Sequence, residues 1–523
     1  MELVKKNIHM DRIRSEAVSQ ITLEDDLNVP DQKPDVSSLN FENGAIIIDE
    51  IRPGTDQVNV RGRLSFDILY HTEEGGSSLI SLQGKIPFEE KINMQGVRST
   101  DDVMVEGQIE DLSVNIINSR KLNIQAVVTL NSWVEELYDE EAPIGMYGED
   151  AVEYRKAPFP LAQIAINKKD IFRVKEELSL PSNYPNIFQI LWSSVSLEDM
   201  DFRVLDEKIS LSGEVRVFVL YEGEGEEHPV RTFEQTIPIS GIVECHGCRE
   251  GMVADIRATL APQEHGQPYL TVRPDFDGEE RNIGVDLVLN ILMKMYEEES
   301  IDIITDIYGV TKEVETVTSP CTLRRLLARV GGKTRVNERV RARSGGSGIL
   351  QLLHSEGRVS IEDQQAVEGG IQLSGSVWIH VLYITGNDEA PYGSFQTQIP
   401  FQYTLEVADM APEDMGMVRG EVEQLQVTML DGEEMDVKAI LAFSTIAFRN
   451  VPMHMIRDVQ ISDLDTAVLA SLPGMAVYVV RPGDNLWNIG RKYYVPVDTL
   501  RSVNRLDSDE LKVGQKLLIV KGA

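Results

Sequence analysis

Cys245-His246-Gly247-Cys248 is the only CxxC of the chain, and its spacing suits two thiolates on one zinc ion or a redox pair. A closed zinc site needs four ligands, and beyond His246 and Cys321 no second CxxC or histidine pair stands at a recognisable spacing. Metal is therefore the weaker reading of Cys245 and Cys248, and a turn with free thiols the stronger. Gly331-Gly332-Lys333-Thr334 has the tail of a phosphate-binding loop, but Leu327 occupies the place of the required earlier glycine. A turn after a short helix explains it better. The Ser344-Gly-Gly-Ser-Gly348 run lacks the GxSxG pattern of a nucleophile elbow, and no HExxH occurs among the eight histidines. Paired carboxylates could serve a glycosidase, but 85 acidic residues offer too many solvated pairs to single one out. No catalytic set and no cofactor is expected.

The elements that would carry any site follow from the whole chain. Its 523 residues, 42% of them hydrophobic, suffice for three or four compact units. Against those 85 acidic residues stand 50 Lys and Arg, so a surface that tracks nucleic acid or anionic lipid is not expected. The opening residues show no apolar run of export-leader length, and no stretch is long and apolar enough for a transmembrane segment. Three cysteines cannot form a disulfide framework, which fits a reducing compartment and a protein that works inside the cell making it. Residues 477–520 carry seven basic and five acidic residues, so a slightly basic module ends a strongly acidic body.

A repeat organises that body. Gly62-Arg-Leu-Ser-Phe-Asp-Ile-Leu-Tyr70, Gly213 to Tyr221 and Gly375 to Tyr383 each end in Leu-Tyr, and each is followed at one spacing by Ile-Pro: Ile86-Pro87, Ile237-Pro238 and Ile399-Pro400. Upstream, Pro30 and Pro34 correspond to Pro181 and Pro185; the third copy has a Gly/Ser-rich segment there instead. Around each glycine, apolar residues alternate with polar ones: Val58, Val60, Gly62, Leu64, Phe66, Ile68 and Tyr70 share one face, as do their counterparts. That is a strand with one buried face, and the inward glycine marks a bulge or bend. A charged turn and a second strand ending at Ile-Pro complete a hairpin, followed by strands such as Leu112–Ile116 and Ile124–Leu130. In the second copy extra length around Pro262 to Tyr269 and Asp275 to Arg281 reads as an enlarged loop. The predicted fold is mainly β: three antiparallel β-sandwich or barrel-like domains at 1–150, 155–315 and 318–460, joined by short helical pieces such as Leu323 to Val330.

Residues 475–521 read as a fourth unit of order β-α-α-β. Val477 to Val480 form a strand and Pro482-Gly483 a turn; Asp484 is placed to cap a helix whose Leu486 and Ile489 face inward. Val497 to Val503 form a second helix, and Gly514 turns the chain into a closing strand. This pattern resembles a LysM domain, with Asn485 where Thr or Ser is usual and Gly490 where Ala is common. The resemblance implies binding of N-acetylglucosamine polymers in a shallow groove, which by position is Gly483, Asp484, Asn485 and Leu486 with Asn504, Arg505 and Leu506. Capping and loop hydrogen bonds explain Asp484 and Asn504 equally well. Trp487 is either core or an exposed anchor for a partner.

The three repeats and the terminal module together resemble the SPOCS-repeat plus LysM proteins of spore-forming Clostridia and their relatives. That resemblance implies a non-catalytic spore coat morphogenesis scaffold in the mother-cell cytoplasm, at the forespore surface. Its partners would be the coat-assembly ATPase, bound mainly through the LysM domain, and other coat proteins. A LysM domain without an export signal must bind something other than wall glycan, or be brought to glycan by an event such as engulfment. The rival reading is a cell-wall protein that binds peptidoglycan.

Overall fold

The computed structural model describes residues 2–73, 79–148, 152–225, 228–262, 269–341, 348–387, 391–464 and 473–520. In the first repeat the strands are β1 (Glu2–Asn28), β2 (Ser38–Pro53), β3 (Gln57–His71), β4 (Leu79–Asn93), β5 (Val103–Asn118) and β6 (Lys121–Tyr147). They make two antiparallel sheets, β2-β3-β4 and β1-β6-β5. The alternation read from the sequence is the alternation of burial: Val58, Val60, Leu64, Phe66, Ile68 and Tyr70 meet Leu122, Ile124, Ala126, Val128 and Leu130 of the facing sheet in one core. This is the expected sandwich.

The second repeat has β7 (Val152–Ser179), β8 (Ile187–Leu205), β9 (Lys208–Gly223), β10 (Val230–Glu244), β11 (Val253–Leu260), β12 (Leu270–Pro274) and β13 (Glu280–Gly309). Here β11 and β12 together hold the place that β5 has in the first repeat, both pairing with β13. Of the enlarged loop expected here, 263–268 lies outside the described residues, and Asp275 to Arg281 is the turn leading from β12 into β13. The third repeat has β14 (Lys312–Arg341), β15 (Ile349–Val367), β16 (Gly370–Thr385), β17 (Tyr392–Glu406), β18 (Met415–Gly416), β19 (Arg419–Met429) and β20 (Glu434–Asp463). The Gly/Ser-rich stretch in front of β15 falls on 342–347, also outside the described residues.

Four expectations need correction. Leu323 to Val330 is not helical but lies in the middle of β14, and Gly331 to Thr334 continues that strand instead of turning. The hairpin strand does not end at Ile-Pro, since β4 runs on from Pro87 to Asn93. β4, β10 and β17 are edge strands, the place in a sheet where a proline within a strand is tolerated. Gly62 does mark a bulge, but the extra residue is on the neighbouring strand: Ile48 pairs with Gly62 and Glu50 with Arg61, leaving Asp49 unpaired. A Cβ on Gly62 would stand 2.6 Å from the Ile47 carbonyl oxygen.

The conserved spacing of prolines and tyrosine has a direct cause. The Tyr70 hydroxyl donates to the Pro34 carbonyl at 2.9 Å, and Tyr221 to Pro185 at 3.2 Å. Arg120 donates to the carbonyls of Val29, Pro30 and Lys33, as Arg281 does to Pro181 and Tyr184. A loop that crosses the end of the sandwich is thus pinned from inside. The leucine of each Leu-Tyr pair points the other way: Leu69, Leu220 and Leu382 lie with Phe41, Trp192 and Phe218 in a cluster shared by the three repeats.

The first and last strands of each repeat outrun their sandwich. The pairs β1/β6, β7/β13 and β14/β20 extend together and pack on one another through Ile8, Met10, Leu161, Ile301, Ile303, Leu323 and Met455. They form a three-ribbon stem from which three lobes emerge. Each first strand carries a bulge at the same place, at Arg14, Ala165 and Leu327. Inside the stem Asp11 of the first repeat accepts from Arg324 of the third at 2.7 Å and from the Tyr296 hydroxyl of the second at 3.0 Å.

Candidate functional site

The terminal module is β21 (Met475–Val479), α1 (Leu486–Tyr493), α2 (Val497–Asn504) and β22 (Lys516–Val520), with β21 and β22 antiparallel. Its core is Val480, Leu486, Ile489, Val495, Leu500, Leu517 and Ile519. Leu486 is therefore a core residue, 2% exposed, and does not line a groove. The helix cap is also one residue later than expected. Asn485, in extended conformation, accepts from the Asn488 amide at 2.8 Å. Asp484 instead closes the preceding turn, accepting from the Arg481 amide and the Tyr478 hydroxyl, both at 2.7 Å. Those two hydrogen bonds, the backbone one first, hold its carboxyl below the usual carboxylate range.

Gly483 has φ +86° with open space where a side chain would be, so backbone conformation alone calls for glycine. Asn504 ties α2 to β22: its amide donates to the carbonyls of Leu500 at 2.9 Å and Leu518 at 2.7 Å, and its oxygen accepts from the Leu518 amide at 2.6 Å. The loop-bonding role holds for Asn504, and the capping role expected of Asp484 falls to Asn485. Arg505 ends α2 in the left-handed region and is exposed, while Leu506 packs half-buried on the module's core. The two loops share that core, and among the sites read from the sequence Gly483, Asn485 and Arg505 face solvent.

Trp487 is neither module core nor a free anchor. Its indole N–H donates to Asp306 Oδ2 at 2.8 Å, on the last part of β13. Arg491, one helical turn on, reaches the same carboxylate at 3.0 and 3.1 Å. The Tyr308 ring meets Trp487 edge-on at 4.7 Å between centroids, and the Arg155 guanidinium lies 5.5 Å from the indole. The Tyr308 hydroxyl donates to the Val495 carbonyl at 2.9 Å, over Gly490. The module is seated on the stem by α1. Its opposite side, β21, presents Met475, Val477 and Val479 to solvent. Nothing in the sequence signalled Asp306 or Tyr308 as part of this site.

Cys245 and Cys248 sit in the turn after β10, both fully buried, in the places of Met94 and Val97 in the first repeat and Val407 and Met410 in the third. The Cys248 thiol donates to the Leu205 carbonyl at 3.1 Å. Burial, with Cys248 beside it, pushes the Cys245 thiol up to about 11, the opposite of what a ligand or nucleophile needs. Their role in this geometry is to plug the end of the sandwich, as the apolar pairs do. Two open hollows of about 470 and 460 Å³, one edged by Asp49, Glu50 and Arg61 and the other by Tyr403 and Glu406, hold no cysteine or histidine.

Comparison with known proteins agrees with these two architectures. The family model described as SipL, SPOCS domain matches residues 35–117, 186–262 and 348–430, and the LysM domain model matches residues 478–520. Two curated proteins of Bacillus subtilis (strain 168) match over short segments, each about the length of the terminal module. One is "Putative sporulation-specific glycosylase YdhD", 49% identical over 45 residues, 9% of this chain and 11% of that protein. The other is the uncharacterized protein YkzQ, 42% identical over 43 residues, 8% of this chain and 57% of that protein. The chain thus spans only a small part of the first relative and about half of the second. No solved structure matches. No helix among the described residues is long and apolar enough to cross a membrane. Three SPOCS segments followed by a LysM domain, both binding-type units, match a SPOCS-repeat plus LysM protein resembling SipL and fit a sporulation-related protein.

Proposed function

We propose that the chain is a non-catalytic spore coat morphogenesis scaffold that works in the mother-cell cytoplasm at the forespore surface. It binds the coat-assembly ATPase mainly through its LysM domain and promotes encasement by coat proteins. The observation that carries this reading is the LysM module itself: a slightly basic unit, with the open positions Gly483, Asn485 and Arg505 and the apolar Met475, Val477 and Val479 turned outward, held at the stem of an acidic body. An acidic surface on a partner would meet the module and be repelled by the rest, which favours one docking site over nonspecific contact. The repeats, merged into one stem with three lobes, offer wide β surfaces for other coat proteins.

The test is capture of the ATPase from sporulating cells by the tagged full chain, set against pelleting of the chain with purified peptidoglycan. Capture without pelleting supports the reading, with Arg505→Glu expected to abolish it while circular dichroism stays unchanged. Pelleting without capture would establish the second reading, binding of an N-acetylglucosamine polymer in the groove of Gly483, Asp484, Asn485, Asn504, Arg505 and Leu506. That reading has one observation in its favour: YdhD, which this chain resembles over 45 residues, is named as a sporulation-specific glycosylase.

A further inference from the structure

The α1 face of the LysM domain is already occupied, and what occupies it is chemically specific. Three groups on one face of α1 are met: the Trp487 indole, the Arg491 guanidinium and the bare backbone at Gly490. On the stem they are met by Asp306 and Tyr308, two residues apart on an extended strand and therefore on one face of it. One carboxylate takes the indole N–H and the guanidinium together, a charge-assisted arrangement that a neutral side chain cannot reproduce. The ring two residues on slides over Gly490, where an added Cβ would stand 2.6 Å from the Tyr308 hydroxyl oxygen and 2.7 Å from the Val495 carbonyl. The position where the LysM pattern favours alanine is glycine here, and the seat of Tyr308 supplies a reason.

We propose that the α1 face is a docking surface for an extended protein segment bearing a carboxylate and, two residues later, an aromatic ring, and that the chain's own Asp306-Ile307-Tyr308 fills it in the unengaged protein. An external segment of the same chemistry must displace the stem before it can use Trp487. The closed arrangement needs no partner to exist; only the naming of the competitor as a protein segment rests on the function proposed above. The pseudo-equivalent stem tip of the first repeat keeps the ring, Tyr147, 71% exposed, but has Gly145 where Asp306 stands. The third tip keeps the carboxylate, Asp458, but has Gln460 where Tyr308 stands, so of the three tips the second alone carries both groups.

The experiment uses the full chain and no partner protein or glycan, so it succeeds or fails independently of ATPase capture. The indole N–H resonance of Trp487 is assigned by its loss in Trp487→Phe. Asp306→Ala and, separately, Gly490→Ala are expected to shift that resonance and leave those of Trp133, Trp192 and Trp378 in place. Gly490→Ala also brings its Cβ against the module's own Val495 carbonyl, so the deciding variant is Asp306→Ala, which lies outside the module. The synthetic peptide Ile-Asp-Ile-Ile-Thr-Asp-Ile-Tyr-Gly, which copies residues 301–309, is then titrated into wild type and into Asp306→Ala/Tyr308→Ala. At least tenfold tighter binding to the double variant is expected. An unmoved Trp487 resonance in Asp306→Ala, or equal peptide affinity for the two proteins, would overturn the proposal.

Discussion

Replacing Arg324 by alanine should destabilise the whole body, because it removes one third of a clasp to which each repeat contributes. Asp11 is 8% exposed. Its carboxylate accepts from Arg324 at 2.7 Å and Tyr296 at 3.0 Å, and its own carbonyl accepts from Arg324 at 2.6 Å. Without Arg324 the carboxylate keeps only the phenol, and loss of one partner from a buried pair costs about 3–5 kcal/mol. The control is Arg341→Ala, whose pair with Glu434 is 68% and 34% exposed; it should cost no more than about 1 kcal/mol. Asp11→Leu/Arg324→Met exchanges the pair for apolar groups of similar length and should recover most of the loss, since buried ion pairs seldom outperform good apolar packing. Urea titration followed by tryptophan fluorescence reads all four proteins, with equal slopes required before midpoints are compared. If Arg324→Ala costs no more than Arg341→Ala, the stem clasp does not hold the repeats together and the reasoning fails.

His354 stands in the shared cluster between Trp192 and Phe218, at 5.1 and 4.1 Å, and burial lowers its pKa to about 4. It is neutral when folded and takes a proton near 6.5 when unfolded, so stability should be full above about pH 6.5 and fall by up to about 3 kcal/mol on the way to pH 4. His354→Phe, which copies Phe41 at the same register, should flatten that part of the profile in urea midpoints taken at pH 7 and pH 5. Gly375→Ala puts a Cβ against the Ser360 carbonyl and should cost more than about 2 kcal/mol or abolish folding, whereas Gly331→Ala, with its nearest neighbour at 3.5 Å, should be neutral or stabilising by up to about 1 kcal/mol. Thermal unfolding compares the two. Asn504→Ala strips three hydrogen bonds from the junction of α2 and β22 and should weaken the module by about 2–3 kcal/mol; hydrogen exchange at the Leu518 amide reports it, and unchanged protection would refute the tie.

The lobes were legible because alternation is the direct imprint of a sheet with one wet face, and Val58 to Tyr70 bury as their pattern says. The stem was not, and Leu323 to Val330 shows why. Leu323, Leu326, Leu327 and Val330 follow helical spacing only because the bulge residue Leu327 inserts one position into an alternating strand and shifts its phase. Proline at Ile-Pro likewise reads as a strand end unless the strand is known to be an edge. In the LysM domain the order of elements was plain from spacing; of the residues read as groove, Asp484 closes a turn, Leu486 is core and Leu506 packs half-buried on it. The environment of Trp487 was beyond reach, because Asp306 and Tyr308 come to it only through the tertiary seat of the module on β13.

β6 and β7, 27 and 28 residues long, run unbroken from lobe to stem tip, roughly 90 Å at about 3.3 Å per residue. Their ladder hydrogen bonds lie across the strands, so a pull that draws a lobe away from the tip strains the rungs in shear and all together. Rupture would then require many rungs to fail at once, whereas peeling from one end would break them singly. A stem so built resists stretching along its length and yields most readily to being unzipped from one end.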